Sequence, residues 1–106
     1  MRGEDVIKIV LEKERGGKPF KEIKVSWSGV HTNGHPYSPR YWYTVSIKGR
    51  RAWKKDFEEI LSYSVPCGMC ASHHEIKEIA FLLEQYGFHK VMEFSSLGYH
   101  SITLRR

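Results

Sequence analysis

Two cysteines and four nearby histidines are the residues whose types and spacing point most directly to chemistry. Cys67-x-x-Cys70 has the spacing at which a tight turn can aim two thiolates at one metal ion. His31-x-x-x-His35 has the spacing of the histidine half of a two-Cys, two-His zinc site. Together the four would tie the segment after the first strand to the turn before the central helix. His73 and His74 are alternates. They follow the cysteines at a helix start, where the positive end of the dipole disfavours imidazolium and leaves the ring free to bind metal. The competing reading is an ordinary free cysteine pair, with Asn33-Gly34 as a hairpin turn that makes His31 and His35 neighbours without a ligand. Zinc is therefore the cofactor that these residues suggest.

The run Pro66-Cys67-Gly68-Met69-Cys70 ahead of a helix also resembles a thioredoxin active site. That fold needs a strand feeding the motif, whereas a helix is expected just upstream, and no further proline stands where such a site requires one. No paired carboxylates, nucleophile elbow or phosphate-cradling glycine loop is present, so the chain leans away from being an enzyme.

Charge supplies a second constellation. The formal net charge is +5, from seventeen Lys and Arg against twelve Asp and Glu, and 13% of residues are aromatic. Such a balance suits nucleic acid or an acidic protein surface. Lys48, Arg50, Arg51, Lys54 and Lys55 crowd around the expected start of a helix, where cations oppose the macrodipole unless an anion such as phosphate joins them. Trp42 alternates with Thr44, Ser46 and Lys48 on a polar strand face, a setting suited to base stacking.

These residues must be positioned by regular elements. The whole of residues 1–106 reads as one domain with a modest core. Val6, Ile7, Val10 and Leu11 follow Glu4 and Asp5 at helical spacing, and Gly16-Gly17 ends that helix; a strand is the rival reading. Ile23, Val25 and Trp27 alternate with Lys24, Ser26 and Ser28 as a half-buried strand. A turn or loop spans 29–39, and a second strand puts Tyr41, Tyr43, Val45 and Ile47 on one face.

A second helix is expected from about Ala52 to Tyr63, burying Trp53, Phe57, Ile60 and Leu61. Ser72 and Glu75 form a capping box opening a further helix with Ile76, Ile79, Ala80 and Leu83 inward, and Gly87 closing it. Phe81 points away from that stripe, and the preceding helix is expected to cover it. Two short strands, 90–94 and 99–104, complete the chain, with His100 buried and hydrogen-bonded beside Ile102 and Leu104.

The fold class that follows is α+β: about four mostly antiparallel strands packed on two or three helices in a two-layer sandwich. No apolar run is long enough to span a membrane, and the charged start is unlike a signal peptide, so a cytoplasmic protein is expected.

The segment from Glu75 to Leu104 resembles part of the HicA family of small RNA-cleaving toxins: a helix, Gly87-Phe88, a strand, then Gly98-Tyr99-His100 opening another. There the resemblance implies a catalytic histidine at His100. Tyr99, however, occupies the place of that family's serine or threonine, and the likeness covers under a third of the chain. The functional expectation is a small basic binding domain for nucleic acid, held through Trp42, Lys48, Arg50, Arg51, Lys54 and Lys55. The alternative is an inhibitor or adaptor of the kind encoded by mobile elements, acting on an acidic or nucleic-acid-handling protein.

Overall fold

The computed structural model describes residues 3–32, 40–67, 74–96 and 98–106, with side chains outside 30–32, 40–42, 65–67 and 74. The element order is α1 (Gly3–Arg15), β1 (Phe20–Thr32), β2 (Arg40–Arg51), β3 (Glu58–Cys67), α2 (His74–Glu84), β4 (His89–Ser96) and β5 (Tyr99–Arg105). The strands form one antiparallel five-stranded sheet in the order β3-β2-β1-β5-β4. Both helices share one core with a single face of that sheet, so the molecule is the expected α+β two-layer sandwich with one strand more than anticipated.

Alternation in the strands creates this arrangement. Ile23 and Val25 of β1, Val45 and Ile47 of β2, and Ile102 and Leu104 of β5 are buried on the helical side. Val6, Ile7 and Val10 of α1 and Ile76, Ile79 and Leu83 of α2 meet them there. α1 carries Glu4 and Asp5 in its first turn and Lys13 and Arg15 in its last, matching the macrodipole at both ends. Gly87 closes α2 with φ at 93°, a left-handed conformation that glycine adopts without a Cβ penalty.

The expected second helix is absent. Residues 58–67 form β3 instead, and 52–57 turn the chain between β2 and β3. A β-bulge accounts for the difference. Lys48 pairs with Glu59 and Ile47 with Leu61, which leaves Ile60 as the extra residue. Ile60 is buried and Leu61 half-buried, so two consecutive apolar residues break the period of two and imitate a helix. Gly49 makes room for the bulge: a Cβ there would lie 2.8 Å from Ile60 and 2.6 Å from Phe20. Trp53 and Phe57, expected in the core, are exposed, Trp53 by 90%.

Without that helix Phe81 is left 60% exposed, whereas Leu83 two positions on is 1% exposed. The two should respond very differently to truncation. Leu83→Ala is expected to cost about 2–5 kcal/mol in urea denaturation, through lost burial and a residual cavity. Phe81→Ser should stay within about 0.5 kcal/mol of the parent, as exposed positions do. Equal losses at both sites would contradict this packing.

Candidate nucleic-acid interface

The sheet face turned away from the helices is built by the intervening residues of each strand. Register aligns them in rows across the molecule. One row reads Ser62, Ser46, Ser26, Ser101 and Phe94 from β3 to β4. The next reads Ser64, Thr44, Ser28, Tyr99 and Ser96. On the other side lies Glu59, Lys48, Lys24, Thr103 and Met92, and beyond it Arg50, Glu22, Arg105 and His89. Trp42 holds the register position after Thr44 on β2, paired with Val30 and Pro66.

Small hydroxyl side chains keep this face flat, and aromatic and thioether groups rise at its β4–β5 side. Phe94 and Tyr99 pack ring against ring, with centroids 6.0 Å apart and planes tilted by 55°. Phe94 is 51% exposed and Met92 61%. Thr44 and Ser64 hydroxyls hydrogen-bond across β2–β3 at 2.9 Å, and the Ser26 hydroxyl donates to the Ser46 carbonyl at 3.4 Å. Both described helices share the core on the opposite side; on this face Ser101 and Thr103 are buried, while Ser26, Ser28, Thr44, Ser46, Ser62 and Ser64 are partly or fully exposed.

Cations divide sharply by type. Arg50 pairs with Glu22 at 3.0 Å, and Arg105 reaches the same carboxylate oxygen at 3.3 Å. Arg51 binds Glu58, donates to the carbonyls of Lys13 at 2.9 Å and Lys18 at 2.7 Å, and lies 4.5 Å from the Phe20 ring centroid. It fastens α1 to the sheet. Arg50, Arg51, Lys54 and Lys55 therefore do not converge on a helix N-terminus as expected, because that helix does not form. Lys24, Lys48, Lys54 and Lys55 take no part in the described ion pairs, whose cations are arginines, Lys90 and His100. Lys24 and Lys48 stand directly opposite one another, a like-charge pair that costs a sheet up to about 1 kcal/mol.

At the opposite end of the helical side, the Tyr43 and Tyr63 hydroxyls both donate to the Glu75 carboxylate, at 2.9 and 2.5 Å. Tyr43 also stacks on Trp27 with centroids 6.1 Å apart. This clamp holds the first turn of α2 against β2 and β3. Burial first, and then the neighbouring Glu75 carboxylate, push both tyrosine hydroxyls above their ordinary range.

His100 is buried, as its place beside Ile102 and Leu104 implies, and the Glu93 carboxylate accepts a hydrogen bond from its Nε2 at 2.9 Å. Glu93 is held below the usual carboxylate range, foremost by a hydrogen bond from the Lys90 ammonium. A depression of about 300 Å³ between α2 and β4 is lined by Lys77, Phe81, Glu84, Lys90 and Glu93. Its charges are of both signs, which gives it no preference for an anion.

Among the described residues, no three His, Cys, Asp or Glu side chains gather as a metal site. His35, Cys70 and His73 lie outside the described residues, as do the side chains of His31, Cys67 and His74. Backbone register aligns two of the candidates, with Tyr41 of β2 between them. His31 pairs with Tyr41, and Tyr41 pairs with Cys67, so His31 and Cys67 occupy one row across three strands. A strand, not the expected helix, runs into Cys67, although it is the antiparallel edge strand of the sheet.

No described helix is long and apolar enough to cross a membrane. No family model, curated protein or solved structure matches the chain.

Sequence reasoning reaches the polar face of β1 and β2 but passes over its continuation onto β3 and β5, although a signal for it exists. Four strands each carry a hydroxyl–apolar–hydroxyl triplet: Ser26-Trp27-Ser28, Thr44-Val45-Ser46, Ser62-Tyr63-Ser64 and Ser101-Ile102-Thr103.

The tyrosine clamp predicts a dependence on alkaline pH. A hydroxyl whose folded pKa is raised binds its proton more tightly in the native state. The stability this confers is complete below the unfolded value of 10.0 and is lost as pH rises toward the folded value. Urea midpoints should therefore fall as pH climbs above 10, and less so in Tyr63→Phe. Of the six tyrosines, Tyr43 and Tyr63 should ionise only as the protein unfolds. Full tyrosinate absorbance from a still-folded chain would contradict the clamp.

Proposed function

We propose that the protein binds single-stranded nucleic acid on the open sheet face. The observation that carries this reading is the hydroxyl-lined, aromatic-flanked face with Lys24 and Lys48 side by side, Glu59 lying on the far side of Lys48. A like-charge pair at the middle of a sheet is stabilised when an anion bridges it, and a phosphate is such an anion. Ser and Thr hydroxyls can donate to phosphate and sugar oxygens. Phe94 and Tyr99 provide ring surfaces on which bases of any type can stack. Trp42 extends the same series of rows, and Lys48 belongs to both the expected and the observed surface.

Width favours a single strand over a duplex. Five strands at about 4.8 Å spacing present a surface roughly 20 Å across. That exceeds the major groove of about 12 Å, so the sheet cannot enter a duplex to read it. An unpaired strand can lie across the rows with its bases flat on the aromatic side.

A salt titration of oligonucleotide binding tests this. Lys24→Ala/Lys48→Ala should weaken binding to all sequences and flatten the salt dependence by about one unit of slope per lost phosphate contact. Phe94→Ala should lose roughly 1–3 kcal/mol of stacking per base while leaving the slope intact. A parent protein without affinity at low salt would remove the reading. Specific capture of one acidic protein instead would favour the inhibitor or adaptor alternative.

We also propose zinc at Cys67 and Cys70 with a histidine partner, a reading favoured by the row that aligns His31 with Cys67. Their thiolates and imidazole are the donor set of structural zinc. Native mass spectrometry should then find one ion per chain, and chelation should lower the melting temperature, because such sites form together with the fold. A metal-free chain with unchanged melting would exclude it.

A further inference from the structure

We infer that the β2–β3 turn is a second contact point for the same strand of nucleic acid, with the Trp53 indole as a stacking surface beyond the sheet. This inference rests on the single-strand reading above. Trp53 lies in the turn between β2 and β3, is 90% exposed and has φ at 73°. A left-handed conformation is ordinarily filled by Gly, Asn or Asp, and for a bulky residue it is strained. The fold thus holds its largest type of side chain in solvent, on backbone that a smaller residue would occupy more comfortably. Local strain of this kind gathers at binding sites when the surroundings impose it.

The surroundings do impose it. Arg50 Nη1 donates to the Lys54 carbonyl at 3.1 Å, and the Lys54 amide donates to the Arg51 carbonyl at 3.2 Å. Arg51 is itself anchored to Lys13, Lys18 and Glu58. The turn is held from both sides while the indole stays outside. Arg50 also belongs to the last row of the open face, so the same side chain joins that face to the turn.

The chemistry of the turn selects the occupant. Lys54 and Lys55 follow Trp53 directly, are exposed and take no part in the described ion pairs. An aromatic face beside two ammonium groups fits a base and its flanking phosphates. Asp56 comes next and bounds the cationic segment. Distance adds a length requirement. Seven positions along β2 separate Thr44 from Arg51, roughly 23 Å at about 3.3 Å per residue, and the turn lies beyond, so a short strand confined to the hydroxyl rows does not reach it.

Fluorescence anisotropy with labelled oligothymidylates of about 4 and about 12 nucleotides tests the inference across the site sizes usual for single-strand binding. The proteins are the parent, Trp53→Gly, Trp53→Phe and Lys24→Ala/Lys48→Ala. Trp53→Gly should lose roughly tenfold or more in affinity for the longer probe and nothing for the shorter one. It should melt at or above the parent temperature, since glycine adopts positive φ without strain. Trp53→Phe should retain most of the longer probe's affinity. Equal binding of the longer probe by parent and Trp53→Gly, with Lys24→Ala/Lys48→Ala impaired, would overturn the turn's role and leave the sheet reading standing. No binding by the parent at either length would overturn both. A Trp53→Gly chain that melts below the parent would show that the indole serves the fold, and would overturn the inference as well.

Discussion

Strand β1 lies third of five and is hydrogen-bonded along both edges, to β2 and to β5. Its alternation therefore decides what each face of the whole sheet can be. Ile23, Val25 and Trp27 commit one side to burial, and Lys24, Ser26 and Ser28 commit the other to polarity. A one-residue slip would turn both sets over, so the register is strongly specified. Each neighbouring strand must repeat the choice at the paired positions, and each does: Val45 beside Trp27 and Ser46 beside Ser26 on β2, Ile102 beside Val25 and Ser101 beside Ser26 on β5. The helices follow from this division, because only one face offers them apolar surface.

The cations are distributed by the same logic. Arginine carries five donors in a planar fork, suited to bridging several acceptors at once. Arg51 uses that fork to join α1, the segment before β1 and the foot of β3. Arg106 pairs with Glu14 at 2.6 Å and lies 4.3 Å from the Phe88 ring centroid, which fastens the end of β5 to α1 and to the approach of β4. Lysine is a mobile point charge and contributes little when tied down at a surface. The chain uses its arginines mostly for architecture and leaves lysines facing outward on the open sheet and the β2–β3 turn. A count of basic residues in the sequence cannot separate these two groups.

Much of the fold is legible in the order of the residues alone. The strands β1 and β2 alternate cleanly, β4 and β5 are marked by β-rich composition, and α2 declares itself through the stripe of Ile76, Ile79 and Leu83. The departure at 52–63 has a local cause. Trp53, Phe57, Ile60 and Leu61 recur at helical spacing, but the first two belong to a turn and the last two to a bulge. Its consequence reaches Phe81, whose expected cover is the missing helix. The open face is obscured for a different reason. Serine at alternate strand positions carries no charge and little hydrophobic contrast, so each triplet looks ordinary alone; only the register turns four of them into continuous rows.

Those rows also bear on why the uncovered face is tolerated. An antiparallel sheet can present one side to water, provided that side is not broadly apolar. Hydroxyls satisfy one another or the backbone across strands, as Thr44–Ser64 and Ser26–Ser46 do, so the face needs no cover to remain folded. The exposed rings and thioether of Phe94 and Met92 are not required by that argument, and neither is Lys24 opposite Lys48. Glu59 stands beside Lys48 on its β3 side, but on β1 its partner is Lys24 where a sheet selected only for solubility would place an acid, and such a sheet would put polar residues at Phe94 and Met92. The departures from that pattern cluster on one face and at the turn that continues it. This clustering, more than any single residue, is what supports the proposed ligand, anionic along its length and flat at intervals.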